Sequence, residues 1–179
     1  FGTYQSNPDK ALKSAIRIMK ESGAHAVKLE GGKEVSESIT KIINAGIPVM
    51  GHLGLTPQSI YKFGTYNVRG KNKIEADQLI KDAQTLEKLG CFSTVLEKIP
   101  HKLSEEISKK TKFPLIGIGA GNNVDGQVLV IHDLIGLTTE FNPRFIRRYL
   151  DLNSSIKSAV SQFIKDVKSS DFPSKDEMY

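Results

Sequence analysis

Apolar and polar positions follow two rhythms along this chain. Short apolar runs at residues 26–29, 47–50, 92–96, 115–118 and 128–131 are mostly separated by longer stretches in which apolar side chains recur every three or four positions. Runs of that length, each followed by an amphipathic segment, predict strands of a parallel sheet wrapped by helices. The expected fold class is α/β.

The helical stretches carry their own start and stop signals. Asn7 is placed to cap a helix opened by Pro8, with Ala11, Leu12, Ala15, Ile16 and Met19 on one apolar face and Gly23 at its end. A second helix is expected from about Lys33 to Asn44, burying Val35, Ile39, Ile42 and Ile43 and closing near Gly46. A third runs from about Ile74 to Leu89 and ends at Gly90; a shorter fourth lies between His101 and Lys110. Residues 143–167 read as one or two closing helices (Phe145, Ile146, Tyr149 and Leu150, then Ile156, Val160, Phe163, Ile164 and Val167), and residues 169–179 as a frayed polar end.

One segment breaks the rhythm. Residues 51–71, GHLGLTPQSIYKFGTYNVRGK, are rich in Gly and polar groups and follow directly on an apolar run. A loop this long inside an α/β domain is usually a binding loop or a lid, so function is expected there.

Composition narrows the reading. A chain of 179 residues with 39% hydrophobic content can bury one sizeable core, and no Pro/Ser-rich linker divides it, so one domain is expected. The net charge of +5 comes from cations mostly set beside acids (Lys10 by Asp9, Lys81 by Asp82, Lys88 by Glu87), the only dense group being Arg144, Arg147 and Arg148. That distribution describes solvated helix faces and argues against a nucleic-acid partner, while leaving room for anionic small molecules. Cys91, the single cysteine, cannot form an intramolecular disulfide and reads as a buried inert thiol. With no apolar run near the ~20 residues needed to cross a bilayer and no signal-like start, a soluble cytoplasmic protein without membrane contact is expected.

Candidate chemistry lies where the strands end. The two-residue period of a strand puts Ala26, Lys28 and Glu30 on one face and Val27 and Leu29 on the other. If the chain forms a barrel, Lys28 and Glu30 point inward and need each other, a metal or an anionic ligand; on an exposed edge strand they simply pair with each other. Two further apolar runs end in ionisable groups, His52 after residues 49–51 and Glu97 after residues 93–96. Three strands that each finish this way are what a barrel needs to build a site on its carboxyl-terminal rim. The Gly-rich run at residues 116–122, IGIGAGN, lacks the ending of a P-loop and opens no amphipathic helix, so its glycines serve a tight turn or a close ligand equally well.

The segments VKLEGG (27–32), GHLGLTPQS (51–59), FGTYNVRGK (63–71), VLEKIP (95–100) and IGIGAGNNVDGQVLVIHDLIGL (116–137) together resemble the ketopantoate hydroxymethyltransferase (3-methyl-2-oxobutanoate hydroxymethyltransferase) family, in the family's order and over nearly the whole chain. The resemblance implies a (β/α)8 TIM barrel that transfers a hydroxymethyl group from 5,10-methylenetetrahydrofolate to 3-methyl-2-oxobutanoate, giving 2-dehydropantoate (ketopantoate) on the route to pantothenate and coenzyme A. It implies Mg²⁺ as the Lewis acid that holds the 2-oxo acid and stabilises its enolate. By motif, Glu97 in VLEKIP matches the catalytic base, Lys28 in VKLEGG the lysine on the keto acid, Glu30 the acidic residue at the metal, and His52 in GHLGLTPQS a histidine near the substrate. Homo-oligomers, commonly decamers, are implied as well.

The same comparison sets a further expectation. The family pattern places three more barrel strands and two metal-binding aspartates ahead of the position matching Phe1, so this chain is expected to be a C-terminal piece. It would then be a single partial TIM-barrel domain over residues 1–179, with the last five strands and their helices in 1–142, closing helices in 143–168 and a polar tail in 169–179. Two alternatives accompany this reading: a related Mg-dependent lyase or mutase acting on 2-oxo acids, and an inactive truncated homologue.

Overall fold

The computed structural model describes residues 1–179. In chain order it comprises α1 (Pro8–Glu21), β1 (Val27–Lys28), a 3-10 turn (Lys33–Val35) running into α2 (Ser36–Asn44), β2 (Val49–Gly54), a second 3-10 turn (Pro57–Ser59) running into α3 (Ile60–Phe63), and α4 (Lys73–Lys88). There follow β3 (Ser93–Glu97), α5 (His101–Lys110), β4 (Leu115–Ile118), β5 (Gly126–Gln127), α6 (Ile131–Leu134) and α7 (Leu152–Ser169). The five strands form one sheet, all pairs parallel, in the order β1-β2-β3-β4-β5. Where one domain is expected from the sequence, the chain divides into two compact units, Phe1–Val128 and Leu129–Tyr179, and the whole sheet belongs to the first.

Local chemistry explains why the helices start where they do. Asn7 Oδ1 accepts the N–H groups of Asp9 and Lys10 at 2.7 and 3.1 Å, and Pro8, which has no N–H to lose, opens α1. Asn72 caps α4 through the N–H of Glu75 at 2.9 Å. Ala11 and Ala15 of α1 are buried, but Ile16, expected on the same face, is 42% exposed. The α2 reading holds, with Val35, Ile39 and Ile42 buried and Ile43 partly so.

Strand order fixes the packing. Val27, Leu29, Val49, Leu53, Leu96 and Leu115 share one face and one core with Ile39 and Ile42 of α2, Leu79, Ala83 and Leu86 of α4, and Leu103 and Ile107 of α5. Gly51 lies within that face because a Cβ there would stand 2.5 Å from Leu86 Cδ1 and 2.8 Å from Thr94 Oγ1. The register pairs Lys28 with Met50, Met50 with Ser93, His52 with Val95 and Glu97 with Ile118, so these side chains share the opposite face.

Four expectations are corrected. Residues 51–54 extend β2, so the long segment begins at Leu55 and contains a 3-10 turn and α3 instead of being one open loop. The strand expected at 128–131 is absent; β5 is Gly126–Gln127, where the lack of a side chain keeps Gly126 clear of Ile116, and Val128, Val130 and Ile131 are exposed. In the second unit, residues 143–151 are not helical, so Phe145, Ile146, Tyr149 and Leu150 do not form a helix face, whereas α7 follows as a helix on which no residue is buried. Its end is not simply frayed, because Phe163 and Phe172 rings meet edge to face at 5.4 Å and Ser174 and Glu177 form a capping box.

Two buried groups have defined electrostatics. Cys91 is 4% exposed and burial pushes its thiol up to about 11. Asp82 on α4, 7% exposed, accepts the N–H of Lys33 at 3.1 Å and the side-chain amide of Gln78 at 3.0 Å, capping the turn that opens α2 from another helix. Gly32 is required beside it, since a Cβ there would lie 2.3 Å from Asp82 Cγ. Burial raises the Asp82 carboxyl above the ordinary aspartate value, with the two hydrogen bonds working the other way.

Leu96 has no exposed surface, and Leu96→Ala is expected to cost about 3 kcal/mol, read as a lowered urea midpoint. Because the Asp82 value is raised in the folded protein, its contribution to stability is full below the ordinary aspartate value and falls as pH rises through the raised one. Asp82→Asn is expected to flatten that fall in urea midpoints recorded between about pH 3 and pH 7.

Candidate active site

Parallel pairing carries the three ionisable strand ends to one place. Backbone bonds from Leu29 N–H to Met50 O (3.1 Å) and from Gly31 N–H to His52 O (3.0 Å) continue the β1 pairing past its last residue and hold Glu30 alongside His52. Gly54, registered with Glu97, ends β2 at φ +91°; a Cβ there would lie 2.2 Å from the Glu97 carbonyl oxygen, so only glycine lets the two strand ends meet this closely.

His52 stands between two carboxylates. Its Nε2 is 3.2 Å from Glu97 Oε2 and its Nδ1 is 3.9 Å from Glu30 Oε1. The imidazole side chain is 2% exposed, the Glu30 side chain 10% and the Glu97 side chain 19%, so exposure to solvent increases toward Glu97. Neither ring nitrogen has an aligned hydrogen-bond partner, although a carboxylate oxygen is close to Nε2. A neutral imidazole offers one N–H and one lone pair, so a single proton can serve only one of the two carboxylates at a time.

The surroundings hold the two acids in place. Glu30 Oε2 accepts the Gln58 N–H at 2.8 Å, and the Glu30 N–H donates to the Tyr4 hydroxyl at 3.0 Å. Tyr4 is 7% exposed and burial raises its phenol, so the hydroxyl keeps its proton. Leu55 N–H donates to the Glu97 carbonyl at 2.8 Å and Arg69 N–H to the Lys98 carbonyl at 2.9 Å, which ties both ends of the segment after β2 to the end of β3. The Arg69 guanidinium also lies 4.1 Å over the Phe63 ring and pairs with Glu75.

The structure thus brings Glu30, His52 and Glu97 together and leaves Lys28 apart from that contact. Lys28 is exposed on the edge strand β1, on the same face, and the mutual Lys28–Glu30 pair is not formed because Glu30 turns to His52 and Gln58 instead. Tyr4, Gln58, Leu55 and Arg69 escaped the sequence reading: three of the four act through backbone N–H groups, which no side-chain type announces, and Tyr4 reaches the site from outside any motif. The Gly-rich run proves to be a packing turn, with Gly121 pressed against His101 and the Ala120 carbonyl accepting the Ser104 hydroxyl.

Mg²⁺ prefers octahedral oxygen coordination. No three His, Cys, Asp or Glu side chains are placed to hold a cation, and Glu30 is already engaged by Gln58 and faces His52. These residues do not make up a magnesium site among themselves. Elsewhere, a cavity of about 460 Å³ in the second unit is lined by Gly136, Thr139, Arg148, Tyr149, Leu150 and Asp151, but Arg148 is spent on the Thr138 and Phe141 carbonyls and on Asn142. Size there is not matched by chemistry. No helix is long and apolar enough to cross a membrane.

Comparison with known proteins gives a consistent result. Residues 1–175 match the family model described as ketopantoate hydroxymethyltransferase. Over all 179 residues the chain is 67% identical to the 3-methyl-2-oxobutanoate hydroxymethyltransferase of Flavobacterium johnsoniae, 66% to that of Christiangramia forsetii and 62% to that of Cytophaga hutchinsonii. It spans 66% of the length of each of these relatives. A crystal structure of a lyase/mutase from Burkholderia cenocepacia J2315 aligns with a TM-score of 0.47 at 12% identity, covering 97% of this chain and 59% of that one, a likeness too loose to bear on fold or function. The family model and the relatives agree over practically every residue: this chain belongs to the ketopantoate hydroxymethyltransferase family.

Proposed function

We propose that this chain carries the proton-abstracting part of an active site that transfers a hydroxymethyl group from 5,10-methylenetetrahydrofolate to 3-methyl-2-oxobutanoate, forming 2-dehydropantoate. The observation that carries the reading is the contact of Glu97 with the buried His52 at the carboxyl ends of neighbouring parallel strands. Glu97, the more exposed of the two acids, is the base. It takes the proton from the carbon next to the keto group, the C–H electron pair becomes the enolate, and that carbon then bonds to the one-carbon unit of the folate. One of the two C–N bonds of that unit breaks as the new C–C bond forms and the other as water supplies the hydroxyl oxygen; the proton taken by Glu97 and one from the water go to the two folate nitrogens.

His52 fixes the orientation of the Glu97 carboxylate, and Glu30 steadies the other side of the imidazole. Lys28, exposed on the same face at the next strand, is the cation available to the carboxylate or enolate oxygen of the oxo acid. No step is assigned to Mg²⁺, for which this donor set is insufficient.

The (β/α)8 barrel is the finer reading of the fold. Strands in unbroken chain order with their helices packed on one face fit a sheet that keeps curving in one direction, and the polar strand ends then line the rim where barrel enzymes work. Assembly into homo-oligomers is part of the same proposal.

In the product of the complete gene, Glu97→Gln is expected to abolish exchange of the labile proton of 3-methyl-2-oxobutanoate with solvent deuterium, followed by NMR, while the oxo acid still binds. Exchange at the parent rate would remove Glu97 from this role.

A further inference from the structure

We propose that Lys98 is a positioning residue, acting through its left-handed backbone and not its amine, that keeps Glu97 on the open face of the sheet; the proposal rests on the reading of Glu97 as the base. Lys98 has φ +50°, and the only other non-glycine residue with positive φ is Ser170, which caps the end of α7. A lysine in this region is strained, and such strain persists only where the surroundings impose it.

The consequence shows in where the neighbours go. Regular strand alternation would send Glu97 and Ile99 to the same face. Instead the Glu97 side chain faces His52, whereas Ile99, 3% exposed, joins Leu96, Leu103 and Ile107 in the helix-side core. One left-handed residue between them breaks the alternation. A charged base and a core isoleucine two positions apart can then both be satisfied, and Pro100 goes on to open α5 directly.

The surroundings that impose the conformation are backbone groups from three sides. The Lys98 N–H donates to the Ile118 carbonyl at 2.8 Å, the Lys98 carbonyl accepts from Arg69 at 2.9 Å, and the preceding Glu97 carbonyl accepts from Leu55 at 2.8 Å. The last of these has room because Gly54 has no side chain, a Cβ there lying 2.2 Å from the Glu97 carbonyl oxygen. Nothing here uses the lysine amine, which has no salt-bridge partner, so the residue is held by what its backbone does.

The test is a series at position 98 in the product of the complete gene: Lys98→Gly, Lys98→Asn, Lys98→Ala and Lys98→Val. Gly and Asn adopt positive φ readily, Ala less so, and β-branched Val least. The expected ranking of kcat for proton exchange is Gly and Asn above Ala above Val, with Val lower than Gly by roughly 10- to 100-fold and KM for the oxo acid within about twofold throughout. If Val does not fold, the Gly, Asn and Ala members still give the ranking. The imidazole nitrogen resonances of His52 provide a reading independent of turnover: they are expected to move in the Ala or Val protein and to stay near the parent positions in the Gly protein. Loss of kcat in the Gly and Asn proteins as large as in the Val protein would assign the effect to the amine and overturn the proposal, as would His52 resonances and kcat that do not follow the series. Absence of exchange in the parent protein would instead sink the functional reading, and the His52 resonances would still decide the role of Lys98.

Discussion

Two parallel strands cannot be joined by a hairpin, and that constraint organises everything else in this chain. Each strand must be followed by a crossover, crossovers turn right-handed, and strands added in unbroken order therefore send their helices to one face. The apolar side chains of β1 to β4 that point to that face are consumed in packing α2, α4 and α5. Their neighbours at every second position face the other way, free of helix packing, and this is where Lys28, Glu30, His52 and Glu97 lie. Segregation of packing from chemistry thus follows from strand parity and chain order up to Glu97, after which Lys98 breaks the alternation and Ile99 returns to the core.

The price of the site is paid in desolvation. An imidazole with 2% exposure and no aligned hydrogen bond costs on the order of 1–3 kcal/mol relative to one in water, and two nearly buried carboxylates add to that. One backbone N–H group offsets part of it, that of Gln58 on the Glu30 carboxylate, while Leu55 on the Glu97 carbonyl and Arg69 on the Lys98 carbonyl satisfy main-chain groups beside the site. The segment following β2 is held near its beginning, through Leu55 and Gln58, and near its end, through Arg69.

Much of this was legible from residue types because the governing forces are local. Asn7 with Pro8 announces α1, the helical spacing of residues 101–110 matches α5, and Gly46 and Gly90 sit at positive φ just beyond α2 and α4. Convergence of Glu30, His52 and Glu97 followed from strand parity. What stayed hidden depends on neighbours distant in sequence. Gly51 looks like the start of a loop until Leu86 is seen pressing on it; β5 is a Gly-Gln pair whose strand character comes wholly from Ile116 and Gly117; residues 143–151 have helical spacing but no helix. Lys28 and Glu30 were rightly placed on one face, yet their relation was set by Gln58 and His52, which no periodicity connects to them.

Cys91 has one practical consequence. Its thiol is enclosed and pushed up to about 11, so near neutral pH almost none of it is thiolate, and it is the chain's sole cysteine. A second cysteine introduced on an exposed helix position would be the one site that maleimide dyes and spin labels find. The native sequence is in effect a ready background for distance and fluorescence spectroscopy, with no need to disturb the core by removing the thiol it already contains.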